Sequence, residues 1–436
     1  MTFGDLTIPA NGLIYPTLST DAADMLLSKR GDNGSFINYN GRMIGFCGDG
    51  ARNGVGQYSS YGFFYSARDY TDESLDLAYD YVVDGDGWTY NPFKVIYDWS
   101  GSSYCYHLQG ANGIELGERL IKFNNLVLSY EDGWDAVNNF PSYATVYYTD
   151  DKYETAGSDF IFRNRVAGLA LSETTYDNAV LWNWSASNTV RFMFPKACQT
   201  LFDSKGVPCL ASDYFEKQNV PLYQNFRKVP NTESLYVYIY GQMVDVEQAE
   251  GNGSLLARVK VYDGGTWLNR NTVEFLAEES VAGVDPIFDT AQWEFWNGYF
   301  WGSELNNAKE VSSKVKYQWI TEVQFDRHRN KFIMVRCIWD SLLYSGGEAF
   351  TTLTVSVLES DKPYGPFMNE KILVQDDYES DDTNETAKTY VDDCSIFGIL
   401  KDKLILAISF GAPAPTGDYD KRQRGYGTYF ASVPIT

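Results

Sequence analysis

The chain has 436 residues, enough for two or three ordinary domains or one large closed β architecture, and too many for a peptide-scale binder. Hydrophobic residues make up 44% and charged residues 21%, the composition of a folded globular protein rather than a disordered one. The 58 acidic against 35 basic residues leave a formal charge of -23, which repels phosphate backbones and anionic lipid and argues against nucleic acid as a partner.

The 33 Tyr, 26 Phe and 11 Trp, set against two His and seven Met, favour strands and sugar-facing surfaces over helical bundles, so the expected class is all-β. Met1 to Leu6 has neither the basic nor the apolar region of a signal peptide, and no apolar run of about 18 residues could span a membrane. The expectation is a protein that stays inside, leaves the cell by lysis, or has had its signal removed.

Thr20 to Arg30 gives the first helical signal, with Asp21 either its cap or a functional carboxylate. Ser35 to Cys47 reads as strand and runs into Gly48-Asp49-Gly50. A carboxylate between glycines at an apolar strand's end can be approached closely by a ligand, although a turn cap explains Asp49 equally well. In Tyr104 to Gln109, His107 is either a satisfied strand histidine or a partner of a sugar hydroxyl, and Gln109 is grouped with it as a substrate contact. Leu120 to Ser129 and Ala144 to Tyr148 read as strands.

Ala197 to Phe202 and Ser212 to Gln218 read as short helices, the second capped by Ser212. Cys198 and Cys209 are spaced to close a loop, but six scattered cysteines without a CxxC pair read first as buried small hydrophobes, and no zinc site is expected. Strands follow at Leu235 to Tyr240 and Leu255 to Val261, the latter carrying Arg258 as a candidate substrate contact. Turns followed by tryptophan recur at Asp84 to Trp88, Glu131 to Trp134 and Asp263 to Trp267. Trp293 to Trp301 packs three tryptophans, Trp293, Trp296 and Trp301, with three further aromatics into nine residues. That is too many for one buried face, which points to sugar stacking or to a protein interface.

Lys316 to Phe325 alternates, with Gln318, Ile320, Glu322 and Gln324 on one face; this polar stripe either lines a central funnel or faces solvent. Asp326 to Asn330 reads as a hairpin turn exposing His328, and Lys331 to Trp339, Thr351 to Leu358 and Leu404 to Phe410 read as strands. Asp376 to Asp393 is an acidic stretch read as an exposed loop, with weak calcium binding as the alternative. Thr428 to Val433 is expected to close beside the N-terminal segment. No linker divides the chain, so residues 1–436 form one expected domain: a five-bladed β-propeller with long loops and few short helices, at about 87 residues per blade.

No phosphate loop, dinucleotide fingerprint or nucleophile elbow is present, and two histidines leave little room for a Ser-His-Asp centre. Abundant carboxylates beside aromatics suit glycoside hydrolysis, which needs an acid for the leaving oxygen and an ionised partner. A sialidase-like site is disfavoured, because Arg191, Arg258 and Arg336 do not form an obvious cluster for a substrate carboxylate.

Short segments in order, Leu256-Ala-Arg-Val259, Gln292-Trp-Glu-Phe-Trp-Asn-Gly298 with Trp301, Thr321-Glu-Val-Gln-Phe325 and Asp361-Lys-Pro-Tyr-Gly-Pro-Phe367, resemble the C-terminal half of the propeller family once catalogued as domain of unknown function 4185. Ser19-Thr-Asp21 and Phe46-Cys-Gly-Asp49 resemble its N-terminal half. The resemblance implies a five-bladed glycosidase propeller of the endo-D-arabinanase type, glycoside hydrolase family 183, which cuts the arabinan of mycobacterial and corynebacterial walls and is also carried by phages. It places the paired catalytic carboxylates at Asp21 and Asp49, with Glu322 assisting or replacing one of them. The family's early glycine is replaced here by Ala22-Ala-Asp24, which makes Asp24 a competitor of Asp21, and residues 150–220 align poorly.

The expected function is therefore hydrolysis of a cell-surface polysaccharide such as D-arabinan by a secreted or virion-borne enzyme that needs no cofactor. A structural calcium stays open, as does assembly into an oligomer or virion. The rival is a non-catalytic virion propeller that binds glycan or a neighbouring subunit.

Overall fold

The structure is a computed structural model and describes residues 1–7, 35–39, 42–46, 50–51, 58–59, 64–70, 75–81, 104–109, 112–116, 119–130, 144–149, 154–156, 159–161, 166–168, 190–211, 227–229, 234–245, 254–263, 266–267, 273–276, 293–295, 310–312, 318–339, 352–377, 390–411 and 427–436. Among these residues every regular element is a strand and none is a helix. Pairing is antiparallel except where Pro208–Ala211 runs parallel to Arg227–Val229.

Five larger sheets follow one another along the chain. The first holds Ser35–Tyr39, Arg42–Phe46, Phe64–Tyr70 and Leu75–Tyr81, and the second is built on Arg119–Tyr130 with Gly113–Leu116 at its side. Val190–Phe202, Ser234–Asp245 and Ser254–Asp263 are the spine of the third. The fourth runs in order through Gln318–Asp326, Lys331–Trp339, Thr352–Ser360 and Met368–Asp377, and the fifth through Tyr390–Ile399, Lys403–Gly411 and Gly427–Pro434.

One strand from each sheet meets its neighbours in a closed cycle. Ser35–Tyr39 touches Gly113–Leu116, which touches Val190–Phe202; that strand touches Gln318–Asp326, which touches Tyr390–Ile399, which returns to Ser35–Tyr39. The N-terminal residues complete the fifth sheet. Phe3 bridges Ile435 and Thr7 bridges Ser432, with Thr2 and Thr436 exchanging backbone hydrogen bonds of 2.9 and 3.0 Å. The expected closure of Thr428 to Val433 beside the N-terminal segment is thus present. Gly4 packs closely there: a Cβ would stand 3.1 Å from the Pro434 ring, which would have to shift by a few tenths of an ångström.

Strand alternation explains the packing between sheets. On Lys331–Trp339, Ile333, Val335 and Cys337 join Val355 and Val357 against Cys394, Ile396, Leu404, Leu406 and Ile408 of the fifth sheet. The opposite face presents Phe332 and Met334 to Phe202, Tyr236, Tyr238, Tyr240 and Leu256 of the third sheet. Phe202 stacks on Tyr238 with centroids 4.4 Å apart, and Phe325 meets Phe332 at 5.0 Å. A strand buried on both faces reads as a nearly continuous apolar run, as this one does. Between the fifth and first sheets, Phe36 packs edge-on to Phe397 at 4.9 Å. Each fully buried aliphatic or Phe side chain in these layers contributes about 1.5–3 kcal/mol.

Several local expectations change. Ala197 to Phe202 is the second half of a 13-residue strand rather than a helix, because its backbone pairs with Ser234–Asp245 through an irregular register. Tertiary pairing here overrides a weak helical pattern. Ser35 to Cys47 divides into two strands joined as a hairpin. The acidic stretch is strand at both margins, Asp376–Asp377 and Tyr390–Asp393, and residues 378–389 lie outside the described ones. Asp263 does pair with Thr266 across a hairpin, and His328 is exposed in a turn. Cys198, Cys209, Cys337 and Cys394 are buried, and no bridge joins Cys198 to Cys209. Burial among apolar groups pushes the Cys198 thiol up to about 12, which makes it an inert filler.

Candidate site at the meeting of the sheets

The closed cycle of strands brings polar side chains together at its middle. On Gln318–Asp326, odd-numbered positions serve the layer against the third sheet, where Thr321 Oγ1 lies 3.0 Å from Ser254 Oγ and Val323 and Phe325 are apolar. Even-numbered positions turn Glu322 and Gln324 the other way. Glu322 is 0% exposed, so the polar stripe does not face solvent at this position.

Glu322 is surrounded by donors from four sheets. Gln324 Nε2 donates to its Oε1 at 2.9 Å and Asn112 Nδ2 at 3.3 Å. The backbone N–H of Ile396 donates to Oε2 at 3.2 Å, and the Lys196 ammonium stands 3.7 Å from the same oxygen. Lys196, also 0% exposed, donates to Ser395 Oγ at 2.5 Å. Glutamate and lysine are almost never fully buried unless paired, and each brings a desolvation cost of several kcal/mol that only well-placed partners offset. An ionised carboxylate is an acceptor on both oxygens, and all four of these neighbours are donors.

Neutral amides complete the cluster. Asn112, just before the Gly113–Leu116 strand, binds both backbone groups of Ala197: its Nδ2 donates to the carbonyl at 2.9 Å, and its Oδ1 accepts from the N–H. Gln324 Nε2 also donates to Ala197 O at 3.2 Å, while its Oε1 accepts from Gln199 N at 2.8 Å. Gln199 Nε2 in turn donates to Phe36 O at 2.8 Å, which ties the first sheet to the third. Glu322 thus sits where all five sheets are stitched together.

The other expected site residues are distributed as follows. Arg258 is engaged at the turn after Val190–Phe202: its Nη1 donates to Ser204 O at 3.1 Å and its guanidinium lies 4.4 Å over the Tyr236 ring. That turn is seven positions along the chain from Ala197, so these contacts fit a packing clamp between strands. Beside it, burial pushes the Tyr238 phenol well up, with Arg258 opposing the rise. His107 and Gln109 lie on Tyr104–Gln109, which pairs with Arg119–Tyr130, and Trp293 begins the Trp293–Phe295 strand; their side chains lie outside the described residues. Asp21, Asp24, Asp49, Trp296 and Trp301 are outside them as well.

Sequence reasoning reached Glu322 and the face carrying Gln324 but missed Asn112, Lys196 and Ser395. Lys196 left a trace, a single charge between Phe192-Met-Phe-Pro195 and Ala197-Cys198. Reading Ala197 to Phe202 as helix hid the strand face on which that charge lies. Asn112-Gly113 resembles an ordinary turn pair, so nothing local marks it. Among the described residues, no cluster of three or more metal-ligating side chains is present.

No protein-family model and no curated protein matches the chain. Among solved structures, levansucrase from Gluconacetobacter diazotrophicus is 11% identical, with a TM-score of 0.48 over 98% of this chain and 80% of that one. Levansucrase from Bacillus subtilis is 9% identical, with a TM-score of 0.45 over 98% and 91%. A GH43_1 enzyme from Xanthomonas citri is 10% identical, with a TM-score of 0.38 over 95% and 90%. No residue of this chain takes a role from these distant likenesses.

Proposed function

We propose that the chain is a glycoside hydrolase built as a five-bladed β-propeller and acting on a cell-surface furanoside polymer such as D-arabinan. The observation that carries this reading is the buried carboxylate of Glu322, held by donors from four sheets where the five meet. A protein that only had to close its ring would fill this place with apolar side chains, as the layers between its sheets do. The wealth of Tyr and Trp and the absence of phosphate or nucleophile-elbow motifs support a sugar polymer as substrate.

In this reading Asp21 and Asp49 supply the acid and the base or nucleophile, as their likeness to the arabinanase motifs suggests. Glu322 assists them, since both of its oxygens are already engaged by donors and its side chain is fully buried. The enzyme works outside the cell or on a virion. A pair of catalytic carboxyls about 5–5.5 Å apart gives retention, and one about 6.5–9.5 Å apart gives inversion.

The test is product release from purified mycobacterial arabinogalactan by the wild type and by Asp21→Asn and Asp49→Asn. Oligosaccharides from the wild type that vanish with either variant support the reading. If the folded wild type releases none, the same protein should be assayed for glycan binding, and retention without cleavage would favour a non-catalytic virion propeller.

A further inference from the structure

The cluster around Glu322 contains more charge than its stitching requires. Both backbone groups of Ala197 are satisfied by neutral amides, those of Asn112 and Gln324, and the link to the first sheet is made by Gln199. Asn112 and Gln324 also supply two donors to Glu322 Oε1. Lys196 repeats none of these bonds. It approaches the other oxygen, Oε2, at 3.7 Å, and is steadied by Ser395 Oγ at 2.5 Å on the fifth sheet. Glutamine and methionine have nearly the shapes of Glu322 and Lys196 and would occupy the same space without an ionic desolvation cost.

We propose that Lys196 is a positioning residue for the proposed hydrolase: anchored by Ser395, it fixes the orientation and charge of the Glu322 carboxylate. The inference rests on the hydrolase reading, and it deepens it by naming a residue that touches no substrate. Among the described residues, the charged side chain that approaches Glu322 is Lys196 of the third sheet; Asn112, Gln324 and the Ile396 N–H meet it from the second, fourth and fifth sheets without charge. Among the described residues Lys196 is thus the cation beside Glu322, and its removal changes what Glu322 experiences.

The experiment compares Lys196→Met, Lys196→Arg and Ser395→Ala with the wild type, each checked for folding by circular dichroism. On a polysaccharide that the wild type cleaves, Lys196→Met should lower kcat about tenfold or more, leave KM within about twofold, and move the acid limb of the kcat profile up by about one unit or more, because an opposite charge within about 4–6 Å favours the carboxylate. Lys196→Arg should recover part of kcat, and Ser395→Ala should shift the limb in the same direction by less. Should Lys196→Met not fold, the Ser395→Ala shift decides the matter. Folded variants that keep kcat and the acid limb, and lose only resistance to denaturant, would overturn the proposal.

If the wild type cleaves nothing, the hydrolase reading fails separately. Infrared titration of isotope-labelled glutamate, with Glu322→Gln subtracted, then reads the carboxylate itself. A midpoint raised by about one unit or more in Lys196→Met sustains the positioning role, and an unmoved midpoint ends it.

Discussion

Two regions lying side by side are built on opposite principles. Between the fourth and fifth sheets, Ile333, Val335, Val355 and Val357 meet Leu404, Leu406 and Ile408 in a layer of apolar side chains. A few residues away, Glu322, Lys196, Gln324, Asn112 and Ser395 are equally dry and entirely polar. The layer gains from every apolar area that leaves water, whereas the cluster must first overcome the hydration of two ions. The contrast suggests that stability is the work of the layers, and that the polar middle is kept for something else.

The largest effect should come from unbalancing the cluster. Glu322→Ala takes the Glu322 carboxylate away from the buried Lys196 and should cost about 3–5 kcal/mol in denaturant unfolding, while Lys196→Met with Glu322→Gln should recover most of that. A double variant no more stable than the single one would erase the distinction between the two regions. Leu406→Ala, in the layer, should cost about 2–5 kcal/mol through lost burial and a cavity, and no partner substitution of the same kind should recover it.

A smaller effect is expected at the turn between Thr352–Ser360 and Met368–Asp377 of the fourth sheet, which Tyr240 of the third sheet touches. Tyr240 donates its hydroxyl to Pro363 O at 2.5 Å, and Gly365 has a φ of +77° with a would-be Cβ only 2.7 Å from Val311 O. Gly365→Ala should cost about 1–3 kcal/mol by thermal unfolding, from left-handed backbone strain and the clash. An unchanged melting temperature would mean that the turn is not a fixed joint.

The smallest is a pH effect. Burial works against the charge of Glu370, but the Arg336 guanidinium at 2.8 Å, itself buried, outweighs it and holds the carboxyl below its ordinary value. A depressed carboxylate contributes stability above its unfolded value, and this is lost as pH falls through the folded one. Glu370 is more than a third exposed, so Glu370→Gln should remove no more than about 1 kcal/mol of the stability difference between pH 6 and pH 3. A flat difference would show that the pair is screened out.

How much of this was legible in the sequence depends on how local each signal is. Lys331 to Trp339 and Leu404 to Phe410 announce themselves as apolar runs, since strands covered on both faces need no polar residues. Glu322 was legible because alternation placed it with Gln318 and Gln324. Lys196, Asn112 and Ser395 were not, because what makes them a site is the meeting of strands 85 to 210 positions apart in the chain, which no window of sequence contains. Arg258 is a further case: nothing in its own strand announces the Tyr236 ring and the Ser204 carbonyl that it meets.

The most direct measurement is the release of reducing ends from purified arabinogalactan and a panel of other polysaccharides by the wild type and by Glu322→Gln, both confirmed as folded. The account predicts oligosaccharides from the wild type and a rate at least about a hundredfold lower from the variant. A folded variant that cleaves as fast as the wild type would contradict the claim that the polar middle serves the chemistry.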